Sequence, residues 1–561
     1  MVPGFRQTGE PSVQINRGSW PTRLEADVAA GFIKSGQWRG ITLLHQAAYQ
    51  ARSRGTATAV VDVETSRTFA EVMQESQLLA GWFRQVGLVP GEVVSFQLPN
   101  WLETIVINLA ACICGIVVNP IVPIYRDAEV GYILSNSRTR ILFIPETIKT
   151  RNYVKMVENL RSSLPDLRAV VVVRGKANQS GVVRYGEWFE DASITSLATN
   201  IAERPQDPNA VKLLLYTSGT TGRPKGVLHS HNTIQSEIDA VGKFWGIQST
   251  DVILMPSPVT HITGYIYGIE MMSSFGCKTV FMDKWDAEHA ADLISQHKVT
   301  FSIGATPFLR ELVGALERRG ETRPSLRLFA CGGAPVAPDD IRRAQTVLPN
   351  CLAFRVYGSS EAPTVTAGVD PGDPIELGAT TDGSIVNSDV KIVSSDTGET
   401  VRDGIEGEIL VRGPEVMLGY TEWEDTVEAF DEEGFFRTGD LGFISHGHYL
   451  TISGRKKDLI IRGGENISAK EVEDILHAHP AVAEVAVVAM PHERMGETPC
   501  AFVVLENDDA LSLEEIQDFL EESKLAKQKF PEKLYLVDRM PKTASGKILK
   551  HVLRAQCRAD F

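Results

Sequence analysis

Residues 211–227 read VKLLLYTSGTTGRPKGV: an apolar run, Val211 to Leu215, that turns at Tyr216 into hydroxyls, three glycines and one lysine. A short apolar run bounded by such a turn reads as a buried strand feeding a loop built for an anion. Gly219, Gly222 and Gly226 let backbone N–H groups approach phosphate oxygens closely. Thr217, Ser218, Thr220 and Thr221 add hydroxyl donors, and Lys225 adds fixed positive charge. A Walker loop ends in Gly-Lys-Ser/Thr, whereas here Pro224 precedes Lys225 and Gly226 follows it, so that reading fails. A flexible linker fails as well, because it gives no reason for a lysine after proline at the end of a hydroxyl-rich turn.

Around this strand, residues 60–330 alternate short β-branched runs with longer amphipathic segments, the pattern of a parallel sheet covered by helices. The fold class is therefore α/β. Thr68 and Glu71 form a capping box, Val72, Leu79, Phe83 and Val86 follow at helical spacing, and Gly87 ends the helix. Glu92 to Gln97 then reads as a strand. From about Asp389 the texture changes to short strands such as Val390 to Val393 and Glu408 to Val411, separated by turn-rich DTGE, DGIEG and RGP segments, which predicts an antiparallel β subdomain. Beyond Gly454 a small α+β unit is expected, with helices capped by Ser468/Glu471 and Ser512/Glu515 and strands at Val485 to Val488 and Phe502 to Leu505. A boundary near Arg455 to Asp458 divides the chain into an N-terminal domain, 1–455, and a C-terminal domain, 456–561.

The 561 residues exceed what one hydrophobic core usually serves, and the apolar (43%) and charged (23%) shares are those of an ordinary globular protein. A formal net charge of -15 disfavours wholesale binding to nucleic acid or anionic membranes, so any phosphate site must be local. The first residues, MVPGFRQTGE, lack a basic stretch followed by an apolar run, and cytoplasmic residence is the expectation. The longest apolar run, Thr104 to Val118, is interrupted by Asn108 and falls short of the roughly 20 residues a membrane helix needs; it reads as a buried helix entering a strand. Seven scattered cysteines point to reduced thiols, and Cys112 and Cys114 read as small buried hydrophobes because no nearby Cys or His completes a zinc site.

The loop at 216–227 resembles the signature loop of the adenylate-forming superfamily, which includes acyl-CoA synthetases, beetle luciferases and peptide-synthetase adenylation domains. Further motifs agree in order. Cys331-Gly332-Gly333-Ala334-Pro335 resembles the adenine-side strand and turn, and Tyr357-Gly358-Ser359-Ser360-Glu361 the second nucleotide motif. Arg437-Thr438-Gly439-Asp440 and Gly454-Arg455 resemble the ribose-binding pieces, and PKTASGKILK, Pro541 to Lys550, the C-terminal catalytic loop with its lysine, Lys547. Departures are modest: Ser360 stands where many relatives carry threonine, and KTASGK is slightly unusual before its lysine. The resemblance implies a large N-terminal domain of parallel α/β sheets plus an antiparallel β subdomain, with a small mobile α+β C-terminal domain.

It also implies roles. Glu361 would hold Mg2+ bridging the ATP phosphates, Tyr357 would offer a face to adenine beside small Gly332, Gly333 and Ala334, and Asp440 with Arg455 would bind ribose. Alone, Tyr357 reads better as a core aromatic, and only the glycine beside it and the acid four residues on shift the balance, while the Asp440/Arg455 pair reads equally as a solvated ion pair. Lys547 would steady charge on the α-phosphate once the small domain folds over the large one, with Lys457 at the hinge. Gly463, Gly464 and Glu465 would leave room for the pantetheine arm of coenzyme A. The acyl pocket is expected near His261, Gly264, Tyr265, Gly304 and Thr306, and with no charged residue in those stretches a nonpolar monocarboxylate is the substrate class. PSPVTHITGYIYG and IGATPFLREL resemble the cyclohexanecarboxylate and medium-chain acyl-CoA ligase branch. The implied protein is an ATP-dependent acid–CoA ligase forming acyl-AMP and then a thioester, and an oligomer is compatible with it. Two alternatives stand beside it: an adenylation enzyme loading a carrier protein, and a noncatalytic acyl- or nucleotide-binding scaffold.

Overall fold

The computed structural model describes residues 20–176, 181–191, 193–194, 197, 207–217, 223–333, 336–394, 397–463, 465–506, 510–542 and 547–560. Two large sheets, one of seven strands and one of eight, form the N-terminal part. In the seven-stranded sheet, Leu352–Val356, Leu328–Gly332, Phe301–Gly304 and Val252–Met255 lie side by side and run parallel. Their sequences, LAFRV, LFACG, FSIG and VILM, are near-continuous apolar runs because helices cover both faces of a parallel sheet. Parallel strands bring their C-terminal ends to one edge, and the four segments that follow these strands all start there.

The eight-stranded sheet holds Val211–Thr217 beside Val117–Pro120. The next strand, Lys225–Ser230, pairs antiparallel with Val211–Thr217, so the 218–224 segment joins the two arms of a hairpin within an otherwise mainly parallel sheet. The expected capping box at Thr68/Glu71 starts the helix Phe69–Gln85, and Gly87 follows it with φ +76°. The run from Thr104 is a helix, Glu103–Cys114, buried on every side, and then a strand, Val117–Pro120. No helix among the described residues is long and apolar enough to cross a membrane. All seven cysteines are buried, and none is in a disulfide.

Asp389–Val393, Gly407–Arg412, Phe436–Ser445 and Tyr449–Arg455 form the antiparallel four-stranded sheet anticipated from the turn-rich texture. Beyond the short 3-10 turn Lys456–Asp458, a five-stranded sheet begins at Ile460. The strands Val482–His492 and Gly496–Leu505 are longer than the sequence suggests because they form one continuous antiparallel pair. Side chains alternate across that pair: Val485, Val487, Ala501 and Val503 pack with Ile516 and Leu520 on one face, and Ala486, Val488, Cys500 and Phe502 pack with Leu553 and Cys557 on the other. The last helix, Lys550–Ala559, starts three residues after Lys547.

Candidate active site

Lys225 opens the second arm of the hairpin, opposite Thr217 in the ladder. Its Nζ pairs with Asp425 at 2.6 Å and sits 5.2 Å from the centre of the Tyr420 ring. The Tyr420 hydroxyl donates to Glu361 Oε1 at 3.0 Å, and the Met417 N–H donates to the Glu361 carbonyl at 2.8 Å. One residue back, the Ser360 carbonyl accepts from His229 Nε2 at 2.7 Å; burial holds that imidazole near pKa 4, so the ring is neutral and its N–H points at the carbonyl. A cation and a carboxylate from segments 136 residues apart thus converge on one tyrosine. Ser218, Gly219, Thr220, Thr221 and Gly222 lie outside the described residues, as do Ala334 and Gly464.

The strand end at Gly332 and the loop from Tyr357 form the next stretch of wall. A Cβ on Gly332 would meet the Val356 carbonyl at 2.4 Å, and one on Gly358 would meet the Thr364 N at 2.3 Å, so both positions require glycine for close backbone approach. Gly333 takes φ +80° and has open space where a side chain would stand. Tyr357, Asp440 and Arg455 form one cluster: the tyrosine hydroxyl donates to Asp440 Oδ2 at 2.7 Å and Arg455 Nε approaches Oδ1 at 2.6 Å. The antiparallel register places Asp440 directly opposite Arg455, which fixes the pair. Tyr357 is therefore neither a plain core residue nor an isolated platform; its hydroxyl orients a buried carboxylate.

Gly332, Gly333, Tyr357 and Gly358 line a cleft of about 90 Å³, open to solvent, together with Ser359, Ser360, Ser257, His261, Tyr267, Gly304, Phe308 and Lys547, while Asp440 and Arg455 stand behind Tyr357 and are not part of its lining. Burial, with the Lys547 charge adding to it, lowers His261 to about 4, so this histidine is neutral. Lys547 is itself shifted down, first by burial and then by Arg455, while Asp440 and Glu361 oppose the shift. Lys547 thus brings an ammonium from the C-terminal part of the chain to a cleft whose other lining residues all lie between 257 and 364.

Three expected pocket residues are elsewhere. The helical segment Ile262–Phe275 turns Ile262, Thr263, Ile266 and Tyr267 to the cleft, which leaves Gly264 and Tyr265 on the opposite face. A Cβ on Gly264 would meet the Pro258 carbonyl at 2.1 Å, and the Tyr265 hydroxyl donates into the core, to Asn108 at 2.7 Å. Thr306 is a buried first residue of its helix, and Gly304, Ala305 and Phe308 line the cleft instead. The wall segment Tyr265–Glu270 is a π-helical turn, a feature frequent at functional sites. Lys457 lies in the 3-10 turn after the strand that carries Arg455, with its charge shifted down by burial and by that arginine. Gly463 and Glu465 sit in an exposed hairpin turn on the C-terminal sheet and are not among the residues lining the cleft.

Two family models match: AMP-binding enzyme over residues 47–421 and AMP-binding enzyme C-terminal domain over residues 471–547. The chain belongs to the AMP-binding enzymes. Within them it falls in the acyl-CoA synthetase branch of the adenylate-forming enzymes, as an AMP-forming acid ligase. It is 36% identical over 529 residues to the medium-chain fatty-acid–CoA ligase of Escherichia coli (strain K12), covering 94% of this chain and 92% of that one. It is 30% identical to the vibriobactin-specific 2,3-dihydroxybenzoate-AMP ligase of Vibrio cholerae, covering 95% of this chain and 96% of that one. The solved structure of ATP-bound MatB from Rhodopseudomonas palustris superposes with a TM-score of 0.79 at 26% identity, covering 92% of this chain and 98% of that one.

An AMP-binding enzyme must accept a planar base, a diol and a polyphosphate with its metal, and the donor set suits each. Gly332 and Gly333 leave flat backbone, Asp440 offers a carboxylate for a diol, and Glu361 offers a hard oxygen donor bonded to the same tyrosine that Lys225 approaches. Tyr420 and Asp425 were not legible from local pattern. Tyr420 reaches the hairpin only because Gly419–Tyr420 adds to the edge of the sheet beside Val227 and Leu228.

Proposed function

We propose that the enzyme is an acid–CoA ligase: carboxylate and MgATP give acyl-AMP and pyrophosphate, and the CoA thiol then gives acyl-CoA and AMP. The observation that carries this reading is Lys547 in the same cleft as Tyr357 to Ser360 and His261. In this reading Gly332, Gly333 and Tyr357 take the base, Asp440 and Arg455 the ribose, and the loop through Thr217 and Lys225 the phosphates. Glu361 holds Mg2+, which when bound neutralises charge that otherwise repels the incoming carboxylate. Lys547 steadies the negative charge that builds on the α-phosphate as the carboxylate oxygen attacks in line.

The acyl group lies against His261, Gly304, Phe308 and Tyr267, a neutral wall that suits a nonpolar monocarboxylate, alicyclic or of medium length. Residues 456–561 act as a mobile lid pivoting at Lys457, and its rotation presents Gly463, Gly464 and Glu465 to the thiol. The expected compartment is the cytoplasm. A pyrophosphate-release screen over short, medium, branched, alicyclic and aromatic acids with CoA tests the reading: AMP and acyl-CoA form with a nonpolar acid, whereas ADP as product contradicts it. One relative's name gives an AMP ligase without CoA, which favours keeping a second reading, transfer to a carrier-protein thiol, for which free CoA leaves turnover unchanged.

A further inference from the structure

Behind the apolar wall lies a carboxyl group with no part in nucleotide binding. Glu237 sits in the helix His231–Phe244 that follows the hairpin, and it is buried. The Tyr267 hydroxyl donates to Glu237 Oε1 and lies 2.6 Å from the Thr364 hydroxyl, while Thr364 also acts on the Glu237 carboxyl. Tyr267 and Thr364 both line the cleft; Glu237 does not. Burial pushes the Glu237 carboxyl up to about 8, with Glu415 adding to the shift, so at neutral pH it is protonated and serves as donor and acceptor.

Thr364 carries a second sign of constraint. A β-branched residue rarely adopts positive φ, yet Thr364 takes φ +42°. The loop around it is held by its own bonds, Thr366 N–H to the Tyr357 carbonyl at 3.2 Å and Ser359 N–H to the Ala362 carbonyl at 2.9 Å. The backbone therefore aims the Thr364 hydroxyl at the tyrosine and the acid. Tyr267, Thr364 and Glu237 thus form one hydrogen-bonded set, in which each hydroxyl already has a partner within the wall.

We propose that Glu237 is a positioning residue that fixes the wall of the acyl cavity through Tyr267 and Thr364, selecting carboxylic acids with an apolar distal end of defined length. The inference rests on the acid-activating reading above and names which acids that site takes. A series of straight-chain acids and their ω-hydroxy counterparts tests it, with the KM for acid, the KM for ATP and kcat measured for wild type, E237Q, E237A and T364V. Glu237→Gln keeps a donor and an acceptor and retains the wild-type profile. Glu237→Ala removes the buried partner of the Tyr267 hydroxyl and frees the Tyr267–Thr364 pair to turn toward the cleft, raises the KM for the preferred acid about tenfold, leaves the KM for ATP within about twofold, and narrows the preference for the apolar acid over its ω-hydroxy analogue. An E237A profile identical to wild type overturns the proposal. Should E237A fail to fold, the near-isosteric T364V decides: a smaller shift in the same direction supports the proposal, and an unchanged profile overturns it. A wild-type enzyme that activates no acid removes the underlying reading, whereas an active wild type with unaltered variants contradicts this inference alone.

Discussion

The two sides of the proposed site are built differently. On the side we assign to the nucleotide, next to the cleft rather than in its lining, Lys225 pairs with Asp425, Arg455 with Asp440, and Glu361 accepts from the Tyr420 hydroxyl. On the side we assign to the acyl group, His261 is neutral, Glu237 behind the wall carries a proton, and the rest of the lining is apolar side chains and glycine with a few hydroxyls such as Ser257 and Thr263. A charged ligand demands fixed countercharges that can exchange partners when it binds. An apolar one demands shape, and polar groups near it must be neutral and mutually bonded.

Lys547 stands between the halves, and removing it should have the largest effect. Lys547→Ala is expected to lower acyl-AMP formation about 10²- to 10³-fold while thiolysis of supplied acyl-AMP proceeds near the wild-type rate. Single-turnover measurement of each half-reaction checks this, and equal loss in both would show that Lys547 serves no special step. Asp440→Asn tests the nucleotide half alone: the KM for ATP should rise roughly ten- to a hundredfold, with the acid profile unaltered, because bonds to a charged carboxylate are lost.

Histidines on both sides give a pH test. His229, His231 and His261 are all held below the usual value of 6.5 by burial. Above pH 6.5 the rings are neutral in both states, and below it the unfolded chain alone takes up their protons. The stability they contribute is thus present above pH 6.5 and lost as the pH falls toward about 4. Denaturant midpoints measured from pH 7 down to 4.5 should decline, with a shallower decline in His261→Gln. The smallest effect belongs to Asp425→Asn. Releasing Lys225 from a partly exposed ion pair worth at most about 1 kcal/mol should lower the KM for ATP about twofold, and a rise would mean that Asp425 helps rather than competes.

The same contrast explains what the sequence disclosed. The residues we propose for phosphate, ribose and metal lie in contiguous strings, so Lys225, Glu361, Asp440 and Arg455 could be named from the sequence as candidates, and the α/β class and the capping boxes at Thr68 and Ser512 were legible. The acyl wall was legible only as segments. His261 and Gly304 face the cleft, but helical periodicity turns Gly264 and Tyr265 away from it, and a stretch read as one unit hides that division. Tyr420 and Glu237 carry no local signal because each reaches its partner through tertiary packing: Tyr420 arrives on an added edge strand, and Glu237 on a helix behind the wall.

The most direct measurement is exchange of labelled pyrophosphate into ATP by the wild-type enzyme without CoA. Exchange that depends on adding a nonpolar acid, and that Lys547→Ala abolishes, is the predicted result. Exchange at the same rate with no acid present, or release of ADP in its place, would contradict it.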